Sequence, residues 1–157
     1  MPPYVVPRTL GEIAGIEPIH YGPKGSGDPL TDEVEASYRT PPDQLTLSQL
    51  TTALQQNASA EHLVGRALNV VIADPMAEGT NYPGDVLHNL MGLNRRFWMQ
   101  HDGARKAMLS GLPEVEEALV RRLAGEGAAE RLYPYDEQTA IRNLKRVRAF
   151  LLRYRAA

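Results

Sequence analysis

The sequence predicts an all-α protein, and three observations predict it. Apolar residues recur at spacings of three and four along most of the chain, as they do on one face of a helix. Residues that favour helix N-caps precede several of these segments, and Pro or Gly follows them. No run of alternating β-branched residues predicts a strand. We expect a compact bundle of about seven helices with a Pro/Gly-rich N-terminal arm.

The chain of 157 residues has the size of one domain. Because residues 1–30 are rich in proline and glycine, we expect them to form an arm that packs on the body, with a brief helix over 10–14. Residues 31–157 are expected to form a single helical domain.

Capping residues predict the helices of the first half of that domain. Thr31 is the expected N-cap of a short helix. Thr46 begins the next helix, and Gln49, three residues on, completes a capping box. Ser59 is expected to cap a longer helix that ends near Ala73, before Asp-Pro.

Breaker residues predict the helices of the second half. Pro83 suits the first position of a helix. A helix is expected over 102–112, and Pro113 opens a separate one that ends at a glycine. The last helix is expected over about 136–155, with an apolar stripe and an arginine-rich outer face.

Composition excludes several classes of function. The chain has no cysteine, which excludes disulfides, thiol catalysis and thiolate metal sites. No stretch approaches the roughly 18 apolar residues that span a bilayer, and the N-terminus lacks the pattern of a signal peptide. We therefore expect a cytoplasmic protein without a membrane partner.

The formal net charge of −2 conceals an asymmetry along the chain. Residues 1–92 hold 11 acidic and 4 basic residues, and residues 93–157 hold 8 acidic and 13 basic ones. If the two parts remain apart in space, the molecule is dipolar and its acidic part attracts a basic partner. The alternative is two ordinary solvated surfaces.

Catalytic patterns are absent from the sequence. None of the four histidines belongs to an HExxH motif, and no serine lies in a nucleophile elbow. Asp85 and His88 share a helix face, but a metal site needs a further ligand that nothing specifies. We expect no enzyme, no metal and no cofactor; a hydrolase that uses His88 and Asp85 ranks last among the alternatives.

The arginine-rich last helix allows one further function. A basic helix face that includes Arg142 and Arg146 is compatible with a regulatory protein that binds nucleic acid. Such a face on a terminal helix more often serves solubility, so a nucleic-acid partner is the weaker hypothesis.

One segment, residues 74–87, has the sequence D-P-M-A-E-G-T-N-Y-P-G-D-V-L. Its residue types predict a turn between two helices. Pro75 ends one helix, Gly79 permits a positive φ, and Pro83 begins the next helix. Asp85 then lies in a first turn, where the helix dipole favours an anion.

This segment resembles the bacterial contact-dependent growth inhibition (CDI) immunity proteins, which carry a similar D-P-L/M-x-E-G-x-x-Y-P-G-D-L/V-L segment. Residues 8–15, the capped helix at 45–50, Gln55 and the pair Phe97-Trp98 are similar to the family as well. The resemblance covers about residues 8–100. Residues 101–157 form a helical extension with no counterpart.

The resemblance implies a protein that binds the C-terminal domain of a cognate secreted toxin, often a nuclease, and occludes its active site. An acidic rim of Asp74, Glu78 and Asp85, with Tyr82 as an aromatic anchor, is the expected contact surface. The alternative for the same residues is a structural turn that holds two helices together.

Overall fold

The computed structural model describes residues 6–22, 25–125 and 132–155. Eight α-helices occupy this part of the chain, and no strand occurs within it. The all-α prediction is confirmed, with one helix more than expected. The helices are α1 (Leu10–Ala14), α2 (Pro29–Tyr38), α3 (Leu47–Gln55), α4 (Val64–Ala73), α5 (Asp85–Met91), α6 (Arg95–Gln100), α7 (Asp102–Ala124) and α8 (Pro134–Tyr154).

Side-chain caps explain where several helices begin. At α3, the Thr46 hydroxyl accepts from the Gln49 backbone N–H, and the Gln49 side chain accepts from the Thr46 N–H, so the predicted capping box is confirmed. Thr9 caps α1 and Asn94 caps α6, and in each case the side-chain oxygen accepts one backbone N–H of the first helical turn. Each cap satisfies a backbone donor that the first helical turn leaves unpaired.

Two predicted caps are wrong. The N-cap of α2 is Asp28, whose carboxylate accepts from the Thr31 N–H, and Pro29 takes the first helical position. Thr31 therefore lies inside the helix, because proline suits that first position. Ser59 has a positive φ of 53° and makes no capping bond, so the 3₁₀ turn Ala60–His62 separates it from α4.

Pro113 does not begin a helix, since α7 runs through it. An internal proline removes one helical hydrogen bond and crowds the preceding turn. Packing offsets that cost, because Met108, Leu112, Val115 and Leu119 on both sides of Pro113 are completely buried along one face. The prediction of two helices failed because the tertiary contacts of the continuous face outweigh the local preference.

The core lies around α7, which packs against α4 on one side and α8 on the other. α5 contacts α3, α4 and α8, so it lies between the earlier helices and the C-terminal helix. Trp98 fills the interior beside Phe150, with ring centroids 5.1 Å apart, and its indole N–H donates to the Leu93 carbonyl. Leu10 of the arm is buried in this same core.

None of the described helices combines the length and hydropathy needed to cross a bilayer.

Gly111 lets α7 approach α4 closely. A Cβ at this position would lie 2.8 Å from Cδ2 of Leu68, a residue buried in the core. Gly103, near the start of the same helix, would place a Cβ in open space. Substitution by alanine is therefore expected to change the free energy of unfolding in opposite directions at the two glycines.

We expect Gly111→Ala to lower the free energy of unfolding by about 1–2 kcal/mol, because overpacking exceeds the gain in helix propensity. Gly103→Ala is the matched control and should raise it by about 0.5–1 kcal/mol. Urea unfolding followed by circular dichroism measures both. Equal effects of the two substitutions would contradict this account of the α4–α7 contact.

Candidate functional site

The connection between α4 and α5, here called the 74–84 turn, is built around a buried carboxylate. The Asp85 carboxylate is completely buried and accepts the backbone N–H groups of Gly79, Thr80 and Asn81 at 2.5, 2.9 and 2.8 Å. Consecutive N–H groups that converge on one anion make a strong, directional site. Asp85 therefore fixes the path of the turn from the inside.

Two glycines allow this path, for different reasons. At Gly79 a Cβ would lie 1.8 Å from the Thr51 hydroxyl oxygen, so glycine is required by the close approach to α3. The predicted positive φ at Gly79 is wrong; Gly84 has it instead, with φ 91°. Pro83 pairs with Glu78 in an isolated antiparallel bridge and precedes α5 by two residues, so it does not begin that helix as predicted.

The turn is attached to α8 by a buried amide. Asn143 of α8 is completely buried, and its Nδ2 donates to the Gly84 carbonyl at 3.0 Å. The Gly84 N–H donates back across the turn to the carbonyls of Met76 and Ala77. The C-terminal helix thus supports a segment that lies 59 residues earlier in the chain.

Three of the four predicted contact residues lie in this turn and the fourth, Asp85, is the first residue of α5, and they are buried to different depths. Asp74 is exposed, with its carboxylate 3.7 Å from Arg122. Glu78 is exposed, and Tyr82 is half-buried with its ring 6.2 Å from that of His88. Asp85 has no exposed surface, so its carboxylate is not accessible to a partner and its role is internal.

A fourth acidic residue, Glu33 of α2, lies beside the turn. Its carboxylate accepts from the hydroxyls of Ser48 at 3.0 Å and Thr52 at 3.2 Å, and Ser48 also lies 3.4 Å from the Thr80 hydroxyl. These partners are neutral, so the negative charge of Glu33 is not compensated by them. No local sequence pattern connects Glu33 with the turn, because only the packing of α2 on α3 brings it there.

The opposite side of the turn faces the basic helix α8. Nη1 of Arg146 lies 3.3 Å from Nδ1 of His88. Burial lowers the pKa of His88, and the nearby positive charges of Arg146 and Arg142 lower it further. Burial also raises the pKa of the Tyr82 hydroxyl, with a further rise from the Asp85 charge.

The geometry at His88 does not assemble a hydrolytic pair. The Asp85 carboxylate is occupied by three backbone donors and forms no hydrogen bond with His88. Within the described ranges, no three His, Cys, Asp or Glu side chains gather as metal ligands would. The residues around His88 therefore form a charged surface next to the turn.

Comparison with known proteins decides the family. A model of the CDI immunity proteins matches residues 16–108, which is more than half of the chain. The chain belongs to this family. The match includes α2 to α6 and the 74–84 turn, whereas α8 and most of α7 lie outside it. No curated protein and no solved structure is significantly similar to the chain.

In this immunity protein we expect Asp85→Asn to lower the free energy of unfolding by about 2–4 kcal/mol, because the amide NH₂ faces backbone donors that it cannot satisfy. Asp74→Asn is the matched control in the same turn, and about 0.5 kcal/mol is expected because Asp74 is half-exposed. Urea unfolding at pH 7 measures both. Equal, small effects would show that the Asp85 carboxylate does not hold the turn.

The lowered pKa of His88 makes stability depend on pH. At pH values between the lowered pKa of folded His88 and the ordinary pKa of 6.5, the unfolded chain binds more protons at this position than the folded protein does. We therefore expect the free energy of unfolding contributed by His88 to fall as pH falls below 6.5. Unfolding curves at a series of pH values should show a weaker dependence in His88→Gln. The control His20→Gln, at an exposed residue, should keep the parent profile, and identical profiles for all three proteins would contradict the assignment.

Proposed function

We propose that this immunity protein neutralises its cognate toxin by binding the toxin's C-terminal domain and covering its active site, and that the toxin is a nuclease. Family membership supports the first part. The described residues contain no cluster of possible metal ligands, which is compatible with inhibition by binding alone. We place the complex in the cytoplasm of the producing cell, where a nuclease toxin would meet its substrate.

The proposed contact surface is the outer side of the 74–84 turn together with Glu33. It presents the carboxylates of Glu78 and Asp74 and the partly exposed ring of Tyr82. Asp85 stays in the proposal only as the internal support of this surface. A turn fixed from inside loses little conformational freedom when it binds, which favours affinity.

Charge supports a nuclease as the partner. The active site of a nuclease binds phosphates and is therefore basic, so a negatively charged surface competes for it. Glu78 is exposed on the turn and makes no ion pair or side-chain hydrogen bond within the described part of the chain. Complementary charge accelerates association and selects the partner. The exposed Glu78 carboxylate is the observation that carries the choice of surface.

We expect Glu78→Lys to weaken binding to the toxin domain encoded beside this protein's gene by about tenfold or more, since it places a positive charge against a basic cleft. Growth protection should fall in parallel when toxin and variant are co-expressed. Surface plasmon resonance at low and moderate salt measures the affinity, and the loss should appear mainly in the association rate at low salt.

Glu61→Lys is the matched control. It makes the same change of charge at an exposed residue beyond the C-terminal end of α3, whereas the 74–84 turn lies against the N-terminal half of that helix. Equal weakening by both variants would show a general effect of net charge and reject the proposed surface. A wild-type protein that fails to associate with the toxin at micromolar concentration in low salt would reject the function itself.

A further inference from the structure

A groove of about 540 Å³ lies between α8 and the segment that joins α5 to α6. Met91 and Leu93 line one wall, and Ala149 and Leu152 of α8 line the other. Leu152 is 83% exposed, so it adds accessible apolar surface to this wall. We call this feature the arginine groove, because Arg95, Arg146 and Arg153 form its rim.

The rim continues along one flank of α8. Arg142, Arg146 and Arg153 are separated by four and seven residues, which places them on the same side of a helix. The described residues form six ion pairs, and none of them uses these three arginines or Arg95. These four arginines therefore lack the carboxylate partners that other arginines of the described residues have.

His88 does not balance them either. It is the side chain that Arg146 contacts, and its pKa is lowered by burial and by the same arginines. A neutral imidazole accepts a hydrogen bond from a guanidinium without cancelling its charge. The rim thus retains a field that attracts carboxylates.

The floor of the groove favours a polypeptide over a nucleic acid. Single-stranded nucleic acids are held by stacking bases on exposed aromatic faces. The aromatic rings here, Trp98, Phe150 and Tyr154, are at most 5% exposed, because they pack edge to face or tilted against one another. The accessible lining is aliphatic, which suits the side chain of a leucine or isoleucine.

The groove also differs in origin from the 74–84 turn. The α8 wall lies outside residues 16–108, the part that matches the family model, and the wall at Met91 and Leu93 lies inside it. The extension therefore creates a surface that the matched region alone does not contain.

We propose that the arginine groove is a second docking site, which takes an acidic polypeptide segment with aliphatic side chains. Carboxylates of that segment pair with Arg95, Arg146 and Arg153 on the rim and with Arg142, one helical turn before Arg146, and its aliphatic side chains lie on the floor between Met91 and Leu152. Arginine pairs with carboxylates through two parallel hydrogen bonds, so this rim also selects acidic residues by geometry.

The test uses the full chain and a defined probe, a fluorescein-labelled peptide with two leucines flanked on each side by three glutamates. Fluorescence anisotropy at low ionic strength measures its binding. We expect Arg142→Glu/Arg153→Glu to weaken binding by about tenfold, since two attractive charges become repulsive. The probe in which serines replace the leucines should bind several-fold more weakly, because it leaves the aliphatic floor uncovered.

Arg148→Glu/Arg155→Glu is the matched control, with the same change of net charge on the far side of the same helix, where Arg148 forms only an exposed ion pair with Glu116. It should leave binding of the peptide within about twofold of the parent. Circular dichroism and thermal unfolding check that both double variants fold, and Arg142→Gln/Arg153→Gln repeats the test without charge reversal.

Three outcomes would overturn the proposal. One is no binding of the leucine peptide at concentrations on the order of 100 µM, a level that detects even weak contacts. Another is equal weakening by the two charge-reversal variants. The third is a labelled single-stranded oligonucleotide of the same net charge that binds more tightly than the peptide and depends on Arg142 and Arg153, which would make the groove a nucleic-acid surface.

Discussion

The hydrogen bonds between the Asp85 carboxylate and the backbone of residues 79–81 fix the part of the molecule on which the proposed function depends. A buried charge is costly unless it is fully hydrogen-bonded, and here three N–H groups supply the compensation. Because the carboxylate sits at the start of α5, the same bonds fix where that helix begins. The bonds of Gly84 to Met76 and Ala77, and of Asn143 to Gly84, then complete the path of the connection between α4 and α5.

This internal support separates structural from surface residues within one short segment. Asp85, Gly79 and Gly84 build the turn: Asp85 through its hydrogen bonds, Gly79 through its close approach to Thr51, and Gly84 through its positive φ. Glu78 projects outward from it, and Asp74 is exposed but also accepts the Met76 N–H within the turn. Within residues 74–87, some residues therefore have the structural role that was the alternative hypothesis, and others remain available for the proposed contact with a toxin.

The uneven distribution of charge along the chain also acquires a location in the fold. The turn lies between Glu33 of α2 on one side and the arginines of α8 on the other. Tyr82 and His88 lie on the basic side, where the arginines favour the neutral form of the imidazole. A toxin that covers the turn would meet negative charge first and the positive rim of α8 at its edge. Such a bipolar surface discriminates between partners better than one of uniform sign.

The sequence by itself determined the helical class, the capping box at α3 and the family, because each depends on residues close together in the chain. It also placed Asp74, Glu78 and Tyr82 in the connection between two helices and Asp85 in the first turn of the second helix. Only the tertiary structure decided that Pro113 lies within a helix, that Gly79 is required by Thr51, and that Asp85 is buried. It also decided that Glu33 and Asn143 meet the turn from distant positions. These features depend on which helices pack together, and a local pattern of residue types carries no information about that contact.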